Sequence, residues 1–340
     1  MLGRLIAKRL ALSVVQLFGA SVVIFALVRQ LPGDPAVSQL GSTAGPEQIE
    51  ALRERLHLND PVPVQYGIWI RDLFRGDLGR SNVTGNAVTT DLADRIPATL
   101  ELITISLVAA LVVLVPLGVF TARLAKRWYS RAVNRSVFTY GMFAGSMPDF
   151  WLAQLLLFLF FFKMGWAPAP LGRVDLAMGP PEDVTGLYTL DSIIAADWGR
   201  LRDAVVHLVL PVITLVFVYG APILKMTRAN VTKNLDSEFV QQVRSAGVSE
   251  RTQLWIAFKN SLPPVITLAG ITYGFVIGGA VLVETIFSWG GLGQYAVLAI
   301  SNSDFNAIQG FVLVATVVSI FIFLLVDVVH YLVDPRIRAA

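Results

Sequence analysis

Six apolar runs recur along the chain, each bounded by charged or turn-forming residues: Leu10–Val28, Leu102–Ala122, Ser136–Phe162, Val205–Leu224, Pro263–Val283 and Ala307–Val326. Four of them carry no Asp, Glu, Lys, Arg or His; the third contains Asp149, and the fourth has His207 near its start. About 20 apolar residues cross a hydrocarbon layer of about 30 Å as a helix, so the pattern predicts an all-α, polytopic membrane protein with six transmembrane helices. With their flanks the spans are placed at 10–30, 99–122, 136–162, 204–226, 263–286 and 307–330. The first run has a basic start but no small-residue cleavage site after it, and is read as a retained helix rather than a signal peptide.

Basic residues orient the spans, because Lys and Arg in short flanking segments are retained on the cytoplasmic side. Arg4, Lys8 and Arg9 precede the first span, and Arg123, Lys126, Arg127, Arg131 and Arg135 fill or flank the 123–135 loop. Lys225, Arg228, Lys233, Arg244, Arg251 and Lys259 follow the fourth span, and Arg336 and Arg338 close the chain. The N-terminus (1–9), the loops 123–135 and 227–262 and the tail 331–340 are therefore expected in the cytoplasm, with 31–98, 163–203 and 287–306 outside. In the first external segment, Pro46–Leu56 has helix-forming composition, and 60–80 is expected to form a short amphipathic helix against the outer membrane surface or neighbouring spans. The second, with Asp175, Glu182, Asp183, Asp191, Asp197 and Asp203, reads as a lid, a docking loop or a solvated connector.

Composition narrows the function. The chain is 55% hydrophobic and only 15% charged, with a mean hydropathy of +0.64, which excludes an ordinary soluble globule. Its net charge of +3 is small and lies where the insertion rule puts it, so no nucleic-acid partner is expected. The absence of cysteine excludes disulfides and thiolate chemistry. His57, His207 and His330 are far apart in sequence, and no bound metal or other cofactor is expected.

The cytoplasmic stretch Asp236–Leu262 reads as two short helices. Asp236 or Ser237 starts the first, Gly247 ends it in a left-handed conformation, and Ser249 caps the second. Phe239, Val240, Val243 and Ala246 fall on one face and form an apolar knob, which either folds back on the membrane domain or inserts into a cleft on another protein. The run Glu238-Phe239-Val240, Arg244-Ser245-Ala246-Gly247, Ser249-Glu250-Arg251 and Lys259-Asn260-Ser261-Leu262-Pro263 resembles the EAA loop of ATP-binding-cassette (ABC) import permeases of the dipeptide/oligopeptide type. So do Leu31-Pro32-Gly33-Asp34-Pro35, Val64-Gln65-Tyr66, Arg75-Gly76-Asp77-Leu78-Gly79, Pro97 to Leu102 and Ser146-Met147-Pro148. Glu284 to Trp289, Gly291-Leu292-Gly293 and Asp334-Pro335-Arg336-Ile337-Arg338 extend the likeness to the end of the chain. Two departures stand out: Ser245 replaces another small or basic residue, and Gly290 replaces the proline that commonly follows Ser-Trp.

The resemblance implies a type I importer (MetI-like) permease domain over about 95–330 in the bacterial inner membrane. It implies a second related permease, two cytoplasmic ATP-binding subunits and an external solute-binding protein as partners. The coupling helix would comprise Glu238, Phe239, Val240, Val243, Arg244, Ala246 and Gly247, and the substrate would be a di- or oligopeptide, or a nickel chelate, glutathione or haem. No phosphate-binding Gly-x-x-x-x-Gly-Lys-[Ser/Thr] loop occurs, so this chain is not expected to be an enzyme and ATP hydrolysis falls to the partners. Gly270, Gly274 and Gly278 form a small-residue face for packing within the chain or against a partner along the path. Glu101, Asp149, Glu284 and Asp327 lie near span boundaries, where anchoring or a role in the pathway is open; Asp149 and Glu284 are the pathway candidates. Pro116, Pro148, Pro211 and Pro222 permit kinks. An ion-coupled transporter would want midplane carboxylates or paired broken helices, an intramembrane enzyme a nucleophile and base, and neither pattern is evident.

Overall fold

A computed structural model describes residues 2–31, 33–41, 44–124 and 130–333, with side chains described for 7, 9–31, 33–41, 44–124 and 130–329. Pro32, Lys126, Arg127 and the closing 334–338 motif lie outside the described residues, as do the side chains of Arg4, Lys8 and His330.

The described chain is helical, with one isolated antiparallel bridge between Arg80 and Ala87. The helices are α1 (Leu2–Val28), α2 (Pro35–Leu40), α3 (Pro46–Arg55), α4 (Val62–Phe74), α5 (Val88–Arg123), α6 (Ser130–Ser146) and α7 (Asp149–Leu156), which runs into a π-helical turn, Leu157–Lys163. They continue as α8 (Tyr188–Ile194), α9 (Trp198–Leu235), α10 (Glu238–Ser245), α11 (Glu250–Ile286), α12 (Leu292–Ser301) and α13 (Phe305–Val333). Within α1, α5, α9, α11 and α13 lie five segments long and apolar enough to cross a membrane. The sixth candidate is α6 with α7 and the π-turn, bent by 100°.

That break has a local cause. Pro148 takes φ −64° and ψ 135°, outside the helical region, and the helix resumes at Asp149, whose Oδ1 accepts a hydrogen bond from the Phe150 amide at 2.7 Å. Pro116, Pro211 and Pro222, expected to permit kinks, lie inside continuous α5 and α9. Among these four prolines the interruption is confined to Pro148.

The core forms where α5, α9 and α11 pack together, around Leu102, Ile103, Leu215, Val283 and Trp289. Gly220 lets α9 approach Leu114 of α5 so closely that a Cβ there would meet Cδ1 at 2.2 Å. α1 and α13 pack on the flank through Ile24, Val28, Phe305 and Ile308. Helices α9 and α11 contain 38 and 37 residues, about 55 Å each at 1.5 Å per residue, so they extend well past a hydrocarbon layer of about 30 Å.

Outside, α4 lies against α1: the Trp69 and Phe25 rings are 5.7 Å apart, and Tyr66 meets Phe25 edge-on at 5.2 Å. Phe74, at its end, points outward. The second external segment is built around two buried carboxylates. Asp191 Oδ1 accepts from the Thr185 amide and hydroxyl at 2.8 and 2.6 Å, and Oδ2 accepts from the Gly186 amide at 2.9 Å. Glu101 Oε1 accepts from the amide and hydroxyl of Thr189, both at 2.7 Å, while Arg173 lies 3.5 Å from Oε2 and over the Tyr188 ring. The segment is docked on α5 rather than being a loose connector.

Candidate functional site

Two ends of the α9–α11 pair carry the residues singled out from the sequence. At the end where basic residues gather, α10 bridges the two long helices. Ser237 precedes it in an extended conformation, and its hydroxyl donates to the Asn234 carbonyl. Ala246 ends it; the Gly247 amide donates to the Arg244 carbonyl at 3.0 Å, and the Val248 amide to the Val243 carbonyl at 3.4 Å. These two bonds make a Schellman turn, and Gly247 takes φ +74°, which disfavours any residue with a Cβ. Ser249 then caps α11, its Oγ accepting from the Thr252 amide at 3.4 Å.

The apolar knob is divided. Val240 is fully buried (0% exposed), anchoring α10 to the membrane domain, and Val243 is half-buried. Phe239 is 39% exposed, and Ala246 and Gly247 are exposed. Glu238 and Arg244 also face solvent. The periodicity put Phe239, Val240, Val243 and Ala246 on one face; on a helix of eight residues that face is wide enough for one edge to pack inward and the other to point away.

Two residues missed from the sequence, Gln253 and Asn234, set this arrangement. Gln253 Oε1 accepts from Arg244 Nε at 3.2 Å, and its Nε2 donates to the Val248 carbonyl at 2.7 Å, tying both sides of the turn to α11. Asn234 Nδ2 donates to Ser261 Oγ at 2.7 Å and to the Ala257 carbonyl at 3.2 Å, joining α9 to α11 beside α10. The only sequence signal was a polar side chain on a helix face otherwise facing a neighbour. Arg123 of α5 reaches Glu250 at 3.4 Å, across the start of α11.

At the other end, Glu284 is fully buried (0% exposed) near the close of α11. Thr99 Oγ1 donates to its Oε1 at 2.6 Å, and the Gly293 and Gln294 amides at the start of α12 donate to Oε2 at 2.8 and 3.3 Å. The Leu292 amide donates to Thr99 Oγ1 at 2.8 Å, and Trp289 Nε1 to the Ala98 carbonyl at 2.9 Å. A carboxylate facing the first amides of a helix is well placed for the helix dipole. Glu284 thus knots α5, α11 and α12 together. Gly290 takes φ +77°, a conformation closed to the proline expected in relatives, and its amide donates to Gln294 Oε1 at 2.8 Å.

The small-residue face also separates. A Cβ on Gly270 would meet Val326 Cγ2 at 2.4 Å, and one on Gly274 would meet Phe323 Cζ at 3.1 Å, so both let α13 approach α11. Gly278 has open space beside it, and Gly279 accommodates the hydroxyl of Tyr219. That hydroxyl donates to Asp149 Oδ2 at 2.8 Å, tying the break between α6 and α7 to α9. Arg9 pairs with Asp327 at 2.8 Å. Among the described residues no group of three His, Asp or Glu side chains is arranged to hold a metal ion.

Comparison with known proteins decides what this frame is. The model of the binding-protein-dependent transport system inner membrane component matches residues 114–339, and that of the N-terminal membrane component of such systems matches 1–103. The chain belongs to this family. It is 36% identical to a dipeptide transport system permease protein of Alkalihalophilus pseudofirmus over 97% of this chain and 98% of that one. It is 36% identical to a di/tripeptide transport system permease protein of Pseudomonas aeruginosa, covering 98% of each, and 35% identical to a probable D,D-dipeptide permease protein of Escherichia coli, covering 94% and 93%. As a member of the binding-protein-dependent transport family, the chain is a multi-pass inner-membrane permease component of an ABC transporter.

Proposed function

We propose that this chain carries di- or oligopeptides across the inner membrane as one of two related permeases, served by two cytoplasmic ATP-binding subunits and an external solute-binding protein. Its termini and α10 face the cytoplasm, and α10 is the coupling helix, with Phe239 and the exposed edge of Glu238–Gly247 seated in an ATP-binding subunit. The peptide assignment rests on the dipeptide and di/tripeptide permeases to which the chain is similar along nearly its whole length.

The observation that carries the coupling role is the split burial of α10. Val240 roots the helix in its own domain and Phe239 is left outside, so the helix has a fixed inner edge and a free outer one. A push on the outer edge passes through Val240, Gln253 and Asn234 into α9 and α11, whose opposite ends carry the Glu284 knot and the docked second external segment. ATP binding would draw the coupling helices of the two permeases together and rotate the spans from inward-open to outward-open, and hydrolysis would reset them, a two-state change biased by ligand. The path runs between the permeases.

The test is reconstitution of this chain with its partner permease, ATP-binding subunits and binding protein in liposomes. Phe239→Asp with Gly247→Pro is expected to abolish peptide-stimulated ATP hydrolysis and peptide uptake while the complex still assembles. Peptide uptake that continues without ATP would overturn the reading.

A further inference from the structure

We propose that the groove between α6 and α9 binds the phosphate of an anionic lipid headgroup. It is an open groove of about 980 Å³, with Arg135, Lys225, Arg228 and Lys233 as its charged lining and no carboxylate. On α9, Lys225, Arg228, Thr232 and Lys233 stand at offsets of zero, three, seven and eight, one face of the helix. The opposite wall is α6, where Arg135 stands beside Val137 and Phe138, and Phe138 is 62% exposed.

Depth matches this chemistry. The apolar run of α9 ends at Leu224, so Lys225 is its first charge, and the apolar run of α6 begins at Ser136, so Arg135 is the last charge before it. Both rows therefore meet the membrane at the level of the headgroup phosphates, with Phe138 on the hydrocarbon side.

The cations are also positioned. Arg228 donates to Asn134 Oδ1, and Lys225 lies against α6 at Gly141, where a Cβ would meet its Cε at 1.8 Å and its Nζ at 2.1 Å. Gly141 thus leaves the space that Lys225 fills. Among the described residues none of the four cations forms an ion pair. Retention of basic residues on one side of the membrane accounts for their side, but not for their gathering in one groove with an apolar wall. Basic pockets between membrane helices suit phosphate-bearing headgroups.

The full chain, purified in detergent, is exposed to phosphatidylglycerol or phosphatidylcholine of matched acyl chains, and retained lipid is read by native mass spectrometry. Phosphatidylglycerol is expected to be preferred about thirtyfold, the size two basic residues near a lipid phosphate supply. K225Q/R228Q should lose that preference, the charge-preserving K225R/R228K should keep it, and so should R131Q, which removes a nearby charge outside the groove. Circular dichroism establishes that each variant is folded. An equal preference in K225Q/R228Q and the native chain overturns the site. Inorganic phosphate displacing phosphatidylglycerol at equal concentration overturns the lipid as its source and assigns the groove to free phosphate.

Discussion

The two ends of α11 are held by different chemistry. At one end Glu284, a buried carboxylate, draws three donors from two other elements into a dry knot, and Glu101 and Asp191 repeat the device in the segment beside it. At the other end, α10 is kept by one buried valine, a glycine turn and part-buried hydrogen bonds through the neutral side chains of Gln253 and Asn234, one of them from Arg244. Breaking a fully buried carboxylate network is costly because its three donors are left unsatisfied, whereas the part-buried hydrogen bonds around α10 each contribute only about 1 kcal/mol net. The contrast suits a helix pair firmly closed at one end and able to yield at the end proposed to receive force from a partner subunit.

The largest test of that contrast is Glu284→Ala. It strands the Thr99 hydroxyl and the Gly293 and Gln294 amides in a buried site, and the expected loss is roughly 3–5 kcal/mol. Thermal unfolding of the purified chain measures it, and an unchanged melting temperature would remove the knot from the account. Glu284→Gln, which keeps one acceptor oxygen, should recover part of the loss.

A smaller, local effect is expected from Val240→Ala, about 1–2 kcal/mol for the cavity and lost burial. Hydrogen exchange should rise across α10 and the Val248 turn while protection around Glu284 stays as in the native chain. A rise at both ends would show that they are one cooperative unit.

The smallest concerns Asp34, outside the membrane at the start of α2. Burial pushes its carboxyl up, but the Arg53 hydrogen bond, the Ala36 amide and the Arg53 charge outweigh this and hold it below the ordinary carboxylate value. A depressed value means that the contribution is present above the unfolded pKa of about 3.9 and is lost as pH falls through the lower folded value. Acidification below about pH 4 should therefore raise proteolysis of α3 in native protein and leave Asp34→Asn unaffected.

Apolar run length and terminal charge were enough to read a helical membrane protein, because lipid forces every spanning backbone to satisfy itself. The turn between α10 and α11 was also legible, since Gly247 and Ser249 act on neighbours within a few residues; Ser237 stands at the start of α10 but its hydroxyl makes no cap there. The knot at Glu284 was not, because Thr99 lies 185 residues away and no local pattern brings α5 beside α12. Nor was the split of the apolar knob: periodicity tells which residues share a face, and only the packed neighbours decide where that face divides. The break in the third span was half legible, in that Pro148 was marked as a kink among three other prolines that turn out to lie in continuous helix.

That break bears on how the protein is made. Helix α6 has 17 residues, and α7 with its π-turn has 8 and 7, so each arm is shorter than the roughly 20 residues that partition into lipid unaided. Neither arm is a strong insertion signal for the membrane machinery. The segment is expected to settle only after α9 has been synthesised, when Tyr219 supplies the hydroxyl that shelters Asp149. A late step in the biogenesis of this chain is the expected consequence, set by a helix translated after the one it stabilises.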